Sequence, residues 1–530
     1  MRNTLRCTVV LSLMANVALA LSVNAGEPLV QEKTLPDGHT ELRVVSDAGK
    51  DLAVYKVDLK TRHEPATDRT GNIKKWENWR YGGFFCFNDN QFTGEECSKN
   101  KDAKLFNPSK LDISGWAKTM KNAGMKYAVL TTRHTSGFLL WDSPTSEFDV
   151  GSSPGKPDVA GKFVKECRKA GIAPAFYYCL WGGKDWMPHP NARAIILAQL
   201  NELATKFGDI PYFWIDMVCW RPGNLSIQEI YDSIKNAQPN AIVIMNQGIQ
   251  DGQNINYFPT DVMNGEVVVP PAGGHQPLRT VNGKQYYLPF EFEPVSQRRS
   301  AGTRTTLGAV GAWFTYGEGK GFEVSKPIET KVLFDWIKQA YDRGTANVLL
   351  SLAADHTGKM RPDDVKQLEE LGKMLKEASL LEDPKAAVHP VVSLALGRPA
   401  KTSGTWENNI QQYGPAMAFD GNPSTRWGGA GNSRSGWLEV DLGNEVSVSA
   451  AVIHEGWDRT RKFSVQYKVG DEWKNAAEGT TIGAELELDF APVKAQVFRL
   501  NITESTDAPT IWEFQLFGEN SPRKRSKGRR

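Results

Sequence analysis

The sequence predicts two folds in succession, a (β/α)8 TIM-like barrel of the α/β class and then an all-β sandwich. Three observations carry that prediction. Short apolar runs alternate with amphipathic helical stretches over residues 80–380. Several of those runs are apolar on both faces, as parallel strands covered by helices must be. Beyond residue 397 the pattern changes to alternating strands at a spacing of roughly 8–12 residues, the pattern of an antiparallel sandwich. A chain of 530 residues also exceeds one ordinary core.

The elements follow in order. Arg2 and Arg6 precede an apolar run from Val9 to Val23, and Val23-Asn24-Ala25 offers a small-residue cleavage site. Residues 1–25 therefore read as an export signal, which places the mature protein in the periplasm or outside the cell. The run is short for a bilayer span, and no later stretch is expected to cross one. Residues 26–70 read as a polar lead-in and 71–382 as the barrel. Its strands are expected at Gly82–Phe87, Tyr127–Thr132, Ala173–Leu180, Tyr212–Met217, Ala241–Asn246, Ala312–Tyr316 and Asn347–Leu352, with an eighth near Asp261–Gly265. Helices are expected at Asp112–Ala123, Asp158–Ala170, Asn191–Phe207, Ser226–Asn236, Glu329–Arg343 and Pro362–Ser379. Asp112 and Asp158 stand where N-caps belong, and Gly124 and Gly171 follow the helix ends. The Pro- and Gly-rich stretch from Val267 to Thr306 is too long for an ordinary connection and reads as a pocket-shaping loop. Residues 383–396 read as a linker and 397–518 as the sandwich. The basic run at 519–530 reads as a solvated tail.

Composition narrows the function. Lys plus Arg number 63 against 61 Asp plus Glu, a net charge of +2, which argues against a nucleic-acid binder. Five cysteines remain after the signal, with no CxxC spacing, so neither a zinc site nor a disulfide framework is indicated; Cys86 and Cys97 are the one pair close in sequence. No spacing of His and Asp suggests a catalytic metal, and no cofactor is needed for the chemistry considered next.

That chemistry starts at Pro211-Tyr212-Phe213-Trp214-Ile215-Asp216-Met217. A carboxylate at the end of so apolar a strand is costly, and at the C-terminal rim of a barrel the usual return is catalysis. Hydrolysis of a glycoside needs a second carboxyl group, about 5–5.5 Å away when configuration is retained. Glu266, in Met263-Asn264-Gly265-Glu266, follows a strand and a glycine. Glu291 and Glu293, in Leu288-Pro289-Phe290-Glu291-Phe292-Glu293, are rivals that spacing does not separate. Arg133 and His134 directly follow a strand and could bind sugar hydroxyls, with Trp141 nearby.

These residues resemble those of glycoside hydrolase family 29, the α-L-fucosidases. Gly82-Gly83-Phe84-Phe85-Cys86-Phe87 with Asn90–Glu95 is similar to the family's first strand and loop. Leu130–Trp141 is similar to its next segment, and Phe213-Trp214-Ile215-Asp216 to its nucleophile strand. Gly311-Ala312-Trp313-Phe314-Tyr316 and Asn347–Leu350 complete the order. The resemblance implies Asp216 as nucleophile, Glu266 as acid/base with Glu291 as the fallback, and a pocket that includes His134, Arg133, Trp141, Cys86 and Trp313. The family usually has His at Cys86, and His and Asp at Thr135 and Ser136. Those departures leave open a galactose-configured sugar instead of fucose, or a polysaccharide-binding protein without activity. The expected partner is a fucosylated or related glycan.

The C-terminal part resembles discoidin-type (coagulation factor 5/8 type C) domains, through Ala418–Trp427, Trp437–Gly443 and Trp512–Gly518. This implies a jelly-roll sandwich that binds polysaccharide. It also implies a structural Ca2+ at Asp420, Thr425 and Glu513; read from the residues alone, the Asp-Gly loop is equally an Asx-type turn. Trp406, Tyr413 or Trp457 would offer a sugar platform there.

Overall fold

The computed structural model describes residues 28–69, 71–94, 100–182, 191–271, 274–304, 310–314, 325–382, 393–421 and 425–518. The export signal, Cys97, Tyr316, most of the linker and the basic tail lie outside these residues. Eight parallel strands form the barrel wall: β1 (Tyr81–Phe85), β2 (Tyr127–Arg133), β3 (Ala173–Cys179), β4 (Tyr212–Asp216), β5 (Ile242–Met245), β6 (Met263–Glu266), β7 (Phe290–Glu293) and β8 (Asn347–Leu352). Their ladder runs β5-β4-β3-β2-β1-β8-β7-β6.

The period-two alternation of each strand divides two cores. Phe84, Val129, Ala175, Tyr177, Tyr212, Trp214, Ile244 and Leu349 fill the barrel interior. Their neighbours Phe85, Leu130, Phe176, Phe213, Ile215, Val243 and Leu350 face the helices. The helices begin where the sequence predicted. Asp112 accepts from Gly115 N at 3.0 Å and Asp158 from Gly161 N at 2.9 Å, each satisfying an orphan donor of the first turn. Gly171 closes its helix with φ 76°.

Between β5 and β6 no strand ladder forms, and side chains take its place. Asp261 N donates to Val243 O at 2.9 Å, while Val243 N donates back to the Asp261 carboxylate at 2.8 Å. Met245 N donates to Thr260 Oγ1 at 3.1 Å, and Gln247 N to Asn264 Oδ1 at 2.8 Å. Asp261 is buried and is itself held by Tyr231 Oη at 2.6 Å and Lys235 Nζ at 2.7 Å, both on helix Ile227–Ala237. Buried main-chain groups must be paired, and this seam pairs them without a ladder.

Three sequence expectations need correcting. The seventh barrel strand is Phe290–Glu293, not Ala312–Tyr316; Val310–Ala312 pairs antiparallel with Gln297–Arg304 in a separate sheet. Phe290–Glu293 falls within the stretch read as a pocket-shaping loop, yet both of its glutamates are fully buried. The stretch after Val267 is not one loop, since it holds a hairpin, Leu278–Val281 with Lys284–Tyr287, before β7. The polar lead-in is a three-stranded antiparallel sheet, Leu29–Thr34, Thr40–Val45 and Asp51–Val57. It docks on helix Ala192–Thr205, where the Tyr55 hydroxyl donates to Glu202 and Arg193 pairs with Glu32 at 3.1 Å.

The C-terminal part is an antiparallel seven-stranded sheet built on two 20-residue strands, Gly436–Glu455 and Leu486–Ser505. The first of these is interrupted by a register shift between Asp441 and Val446. Phe419, Trp427, Leu438, Phe498 and Phe514 form its core. Among the described residues, no helix is long and apolar enough to cross a membrane.

The seam gives a stability prediction. Asp261→Ala strips partners from Val243 N, Tyr231 Oη and Lys235 together, and should destabilise the barrel by about 3 kcal/mol or more. Urea unfolding followed by tryptophan fluorescence should show a lower midpoint at unchanged slope; an unshifted midpoint would show that the seam is dispensable.

Candidate active site

Asp216 ends β4 with its carboxylate half-buried at the C-terminal mouth of the barrel. Two interior donors fix it: Tyr177 Oη on β3 at 2.6 Å and Asn246 Nδ2 after β5 at 2.7 Å. Burial and the adjacent Asp216 charge hold the Tyr177 phenol well above its ordinary value, so it remains a donor. Asn246 reaches further, accepting from Asn264 Nδ2 at 2.8 Å; the same amide lies 3.4 Å from Glu293 Oε2. A relay of two asparagines therefore runs from Asp216 to Glu293. The side chains of Tyr177 and Asn246 do not stand out in the sequence, although Asn246 ends an apolar run and Tyr177 has interior parity on β3.

Four carboxyl groups gather in the barrel. Glu266 ends β6, half-buried, and its register partner on β7 is Glu293. Glu293 is fully buried, and its Oε1 has no hydrogen-bond partner among the described residues. Burial, together with the charges of Glu291, Glu266 and Asp216, holds Glu293 well above the usual carboxylate range. Its surroundings thus disfavour its charged form.

Glu291, the sequence-derived fallback, lies one layer deeper. It accepts from Tyr127 Oη at 2.5 Å, Tyr212 Oη at 2.6 Å and Trp214 Nε1 at 3.3 Å. Tyr127 and Tyr212 open their strands, so these bonds draw Glu291 toward the N-terminal end, away from the mouth. Burial raises it to about 7, against the pull of the three donors. A carboxyl with both oxygens committed to core donors and no exposed surface is a strut of the barrel interior, which corrects its reading as acid/base.

Both remaining acids are followed by a residue in the left-handed region, Met217 after Asp216 and Val267 after Glu266, each at φ 53°. For a β-branched valine this backbone is a genuine outlier. Such strain costs about 1–3 kcal/mol per residue and gathers where a side chain must be aimed. Here it turns the chain sharply after each carboxylate at the barrel mouth.

The other predicted pocket residues divide. His134 is nearly buried, stacked on Tyr177 with centroids 5.8 Å apart and edge-on to Phe314 at 4.8 Å, so it stands next to the residue that holds Asp216. Cys86 Sγ lies 3.7 Å from Ser351 Oγ, and Ser351 Oγ donates to Trp313 O at 3.2 Å. Trp313 meets Phe84 at 6.1 Å. Cys86 and Trp313 thus share the β1–β8 side of the interior. Arg133 and Trp141 are elsewhere. Arg133 is buried, donating to the carbonyls of Cys179 and Trp181 and lying 5.2 Å over the Tyr178 ring. Trp141 Nε1 donates to Glu202 at 2.6 Å in the helical layer. Period-two alternation puts the residue before His134 on the outer face, so the correction of Arg133 follows from strand parity.

Removing one preorganised donor from a reacting carboxylate should be costly. Asn246→Ala should lower kcat/KM by roughly 100-fold with the fold retained. Steady-state turnover beside a thermal melt tests this; wild-type turnover would remove Asn246 from the site.

The chain is similar in sequence to known proteins over most of its length. The family profile described as Alpha-L-fucosidase matches residues 55–379, and the F5/8 type C domain profile matches residues 399–514. Alpha-L-fucosidase 1 of Arabidopsis thaliana is 24% identical over 472 residues, covering 83% of this chain and 86% of that protein. Tissue alpha-L-fucosidase of Bos taurus is 39% identical over 92 residues, 17% of each chain. Among solved structures, the Ruminococcus gnavus GH29 fucosidase in complex with fucose superposes with a TM-score of 0.45 at 18% identity, covering 87% of this chain and 97% of that one. The chain belongs to the α-L-fucosidase family of glycoside hydrolases and carries an F5/8 type C domain at its C-terminal end.

Proposed function

We propose that this enzyme is an exported exo-glycosidase that removes terminal α-L-fucosyl residues from glycans with retention of configuration. The observation that carries the reading is Asp216 at the barrel mouth, oriented by Tyr177 and Asn246, with Glu266 at the end of β6. Asp216 attacks the anomeric carbon while Glu266 protonates the leaving oxygen; water then resolves the glycosyl-enzyme with Glu266 as base.

A second reading, a galactose-configured or otherwise modified sugar, is favoured by the family's missing hydroxyl-binding groups. Thr135 Oγ1 lies 3.1 Å from His134 Nδ1, and Ser136 Oγ donates to Asp89 at 2.5 Å. Neither position replaces the hydroxyl ligands usual there. A site that pairs a hydroxyl discriminates steeply, so this loss acts first on substrate choice.

Azide separates the roles of the two acids. Asp216→Gly with azide and an aryl α-L-fucoside should yield the β-fucosyl azide, and Glu266→Ala the α-azide. No azide adduct from Asp216→Gly would remove the nucleophile assignment. Turnover of an aryl galactoside but not of the fucoside by the wild type would select the second reading.

We propose further that the C-terminal domain binds polysaccharide and holds a structural Ca2+. Trp457 is 62% exposed there, and Arg426 lies 4.7 Å over Tyr413 and 5.3 Å over Trp512. Thr425 Oγ1 donates to both Asp420 oxygens, at 2.9 and 2.7 Å, and Glu513 is nearly buried on the last strand. This is an all-oxygen set of the kind Ca2+ takes. Among the described residues no group of three His, Cys, Asp or Glu side chains converges, so the proposed site draws on Thr425 and on main-chain carbonyls as well. Millimolar CaCl2 should raise the melting temperature of wild type and not of Asp420→Ala; equal responses would remove the site.

A further inference from the structure

An indole pair stands on the rim beside Asp216. Trp181 directly follows the β3 end and Trp220 lies four residues beyond Asp216, with ring centroids 5.9 Å apart. Trp220 is 47% exposed, among the few large hydrophobic side chains open to solvent in the described barrel residues.

The pair is held rather than left loose. Leu180 N donates to Asp216 O at 3.0 Å, which ties the base of the Trp181 segment to the nucleophile strand. The left-handed Met217 starts a short helical turn, Val218–Trp220, and Trp220 N donates to Met217 O at 2.8 Å. Arg221 closes the turn, its guanidinium donating to Val218 O at 3.0 Å and Leu225 O at 3.1 Å. A ring fixed in advance loses little entropy when a ligand lies against it.

We infer that Trp220, backed by Trp181, forms the leaving-group subsite, stacking the apolar face of the sugar to which the cleaved residue is attached. The inference rests on the glycosidase reading of Asp216 and adds to it a platform outside the cleaved bond. Trp181 and Trp220 stand just beyond the C-terminal ends of β3 and β4, at the end of the barrel from which a leaving sugar would extend. An exposed indole matches the C–H face of a pyranose and leaves the hydroxyls to water. The site therefore selects a glycan substrate by its penultimate pyranose.

Trp220→Ala should lower kcat/KM on fucosyllactoses by about tenfold or more. On α-L-fucosyl fluoride, whose leaving group occupies no such subsite, kcat/KM should stay within about twofold. Trp220→Phe should recover part of the loss. Equal losses on both substrates, or none on the fucosyllactoses, would overturn the subsite. An inactive wild type on fucosyl fluoride would instead overturn the fucosidase reading. The subsite is then judged by lactose alone, which should quench tryptophan fluorescence in wild type and not in Trp220→Ala; no quenching in wild type overturns it.

Discussion

The β5–β6 seam is the constraint on which the rest of the catalytic domain depends. A parallel barrel closes when its last ladder forms, and here closure is made by Asp261, Thr260 and Asn264 instead. The same side chains that replace the ladder set the active site, because Asn264 binds both Gln247 N and Asn246, and Asn246 binds Asp216. Closure of the fold and orientation of the proposed nucleophile are one network. A ladder would have paired the same main-chain groups, but it could not have offered the two amides that reach the acids.

The price of this arrangement is a barrel interior crowded with acid. Glu291 and Glu293 are fully buried, Glu293 level with Glu266 and Glu291 one layer deeper. An isolated buried carboxylate is strongly disfavoured, and two environments resolve the conflict differently. Glu291 receives three donors from Tyr127, Tyr212 and Trp214. Glu293 lies 3.4 Å from the Asn264 amide, its other oxygen has no hydrogen-bond partner among the described residues, and burial disfavours its charged form.

In the proposed reading, selectivity is divided: the residues at Cys86, Thr135 and Ser136 would bear on the sugar being cleaved, and the indoles after β3 and β4 on what it is attached to. The sandwich, with its own core of Phe419, Trp427 and Phe514, adds a surface that can hold the enzyme near its polymer.

The sequence by itself determined the architecture, the capped helices and the position of Asp216, because these depend on local periodicity and on residue types at strand ends. It misplaced β7, since Phe290-Glu291-Phe292-Glu293 alternates in the opposite sense from a solvent-facing strand, with acids inward. Asp216 was legible as an acid ending an apolar strand, and Glu266 as one that follows a strand and a glycine. The deeper place of Glu291, the outward turn of Arg133, and the support from Tyr177 and Asn246 were decided by tertiary structure alone. Each depends on which face of a strand points into the barrel and on which strands stand side by side. Parity and neighbour order are fixed only when the barrel closes.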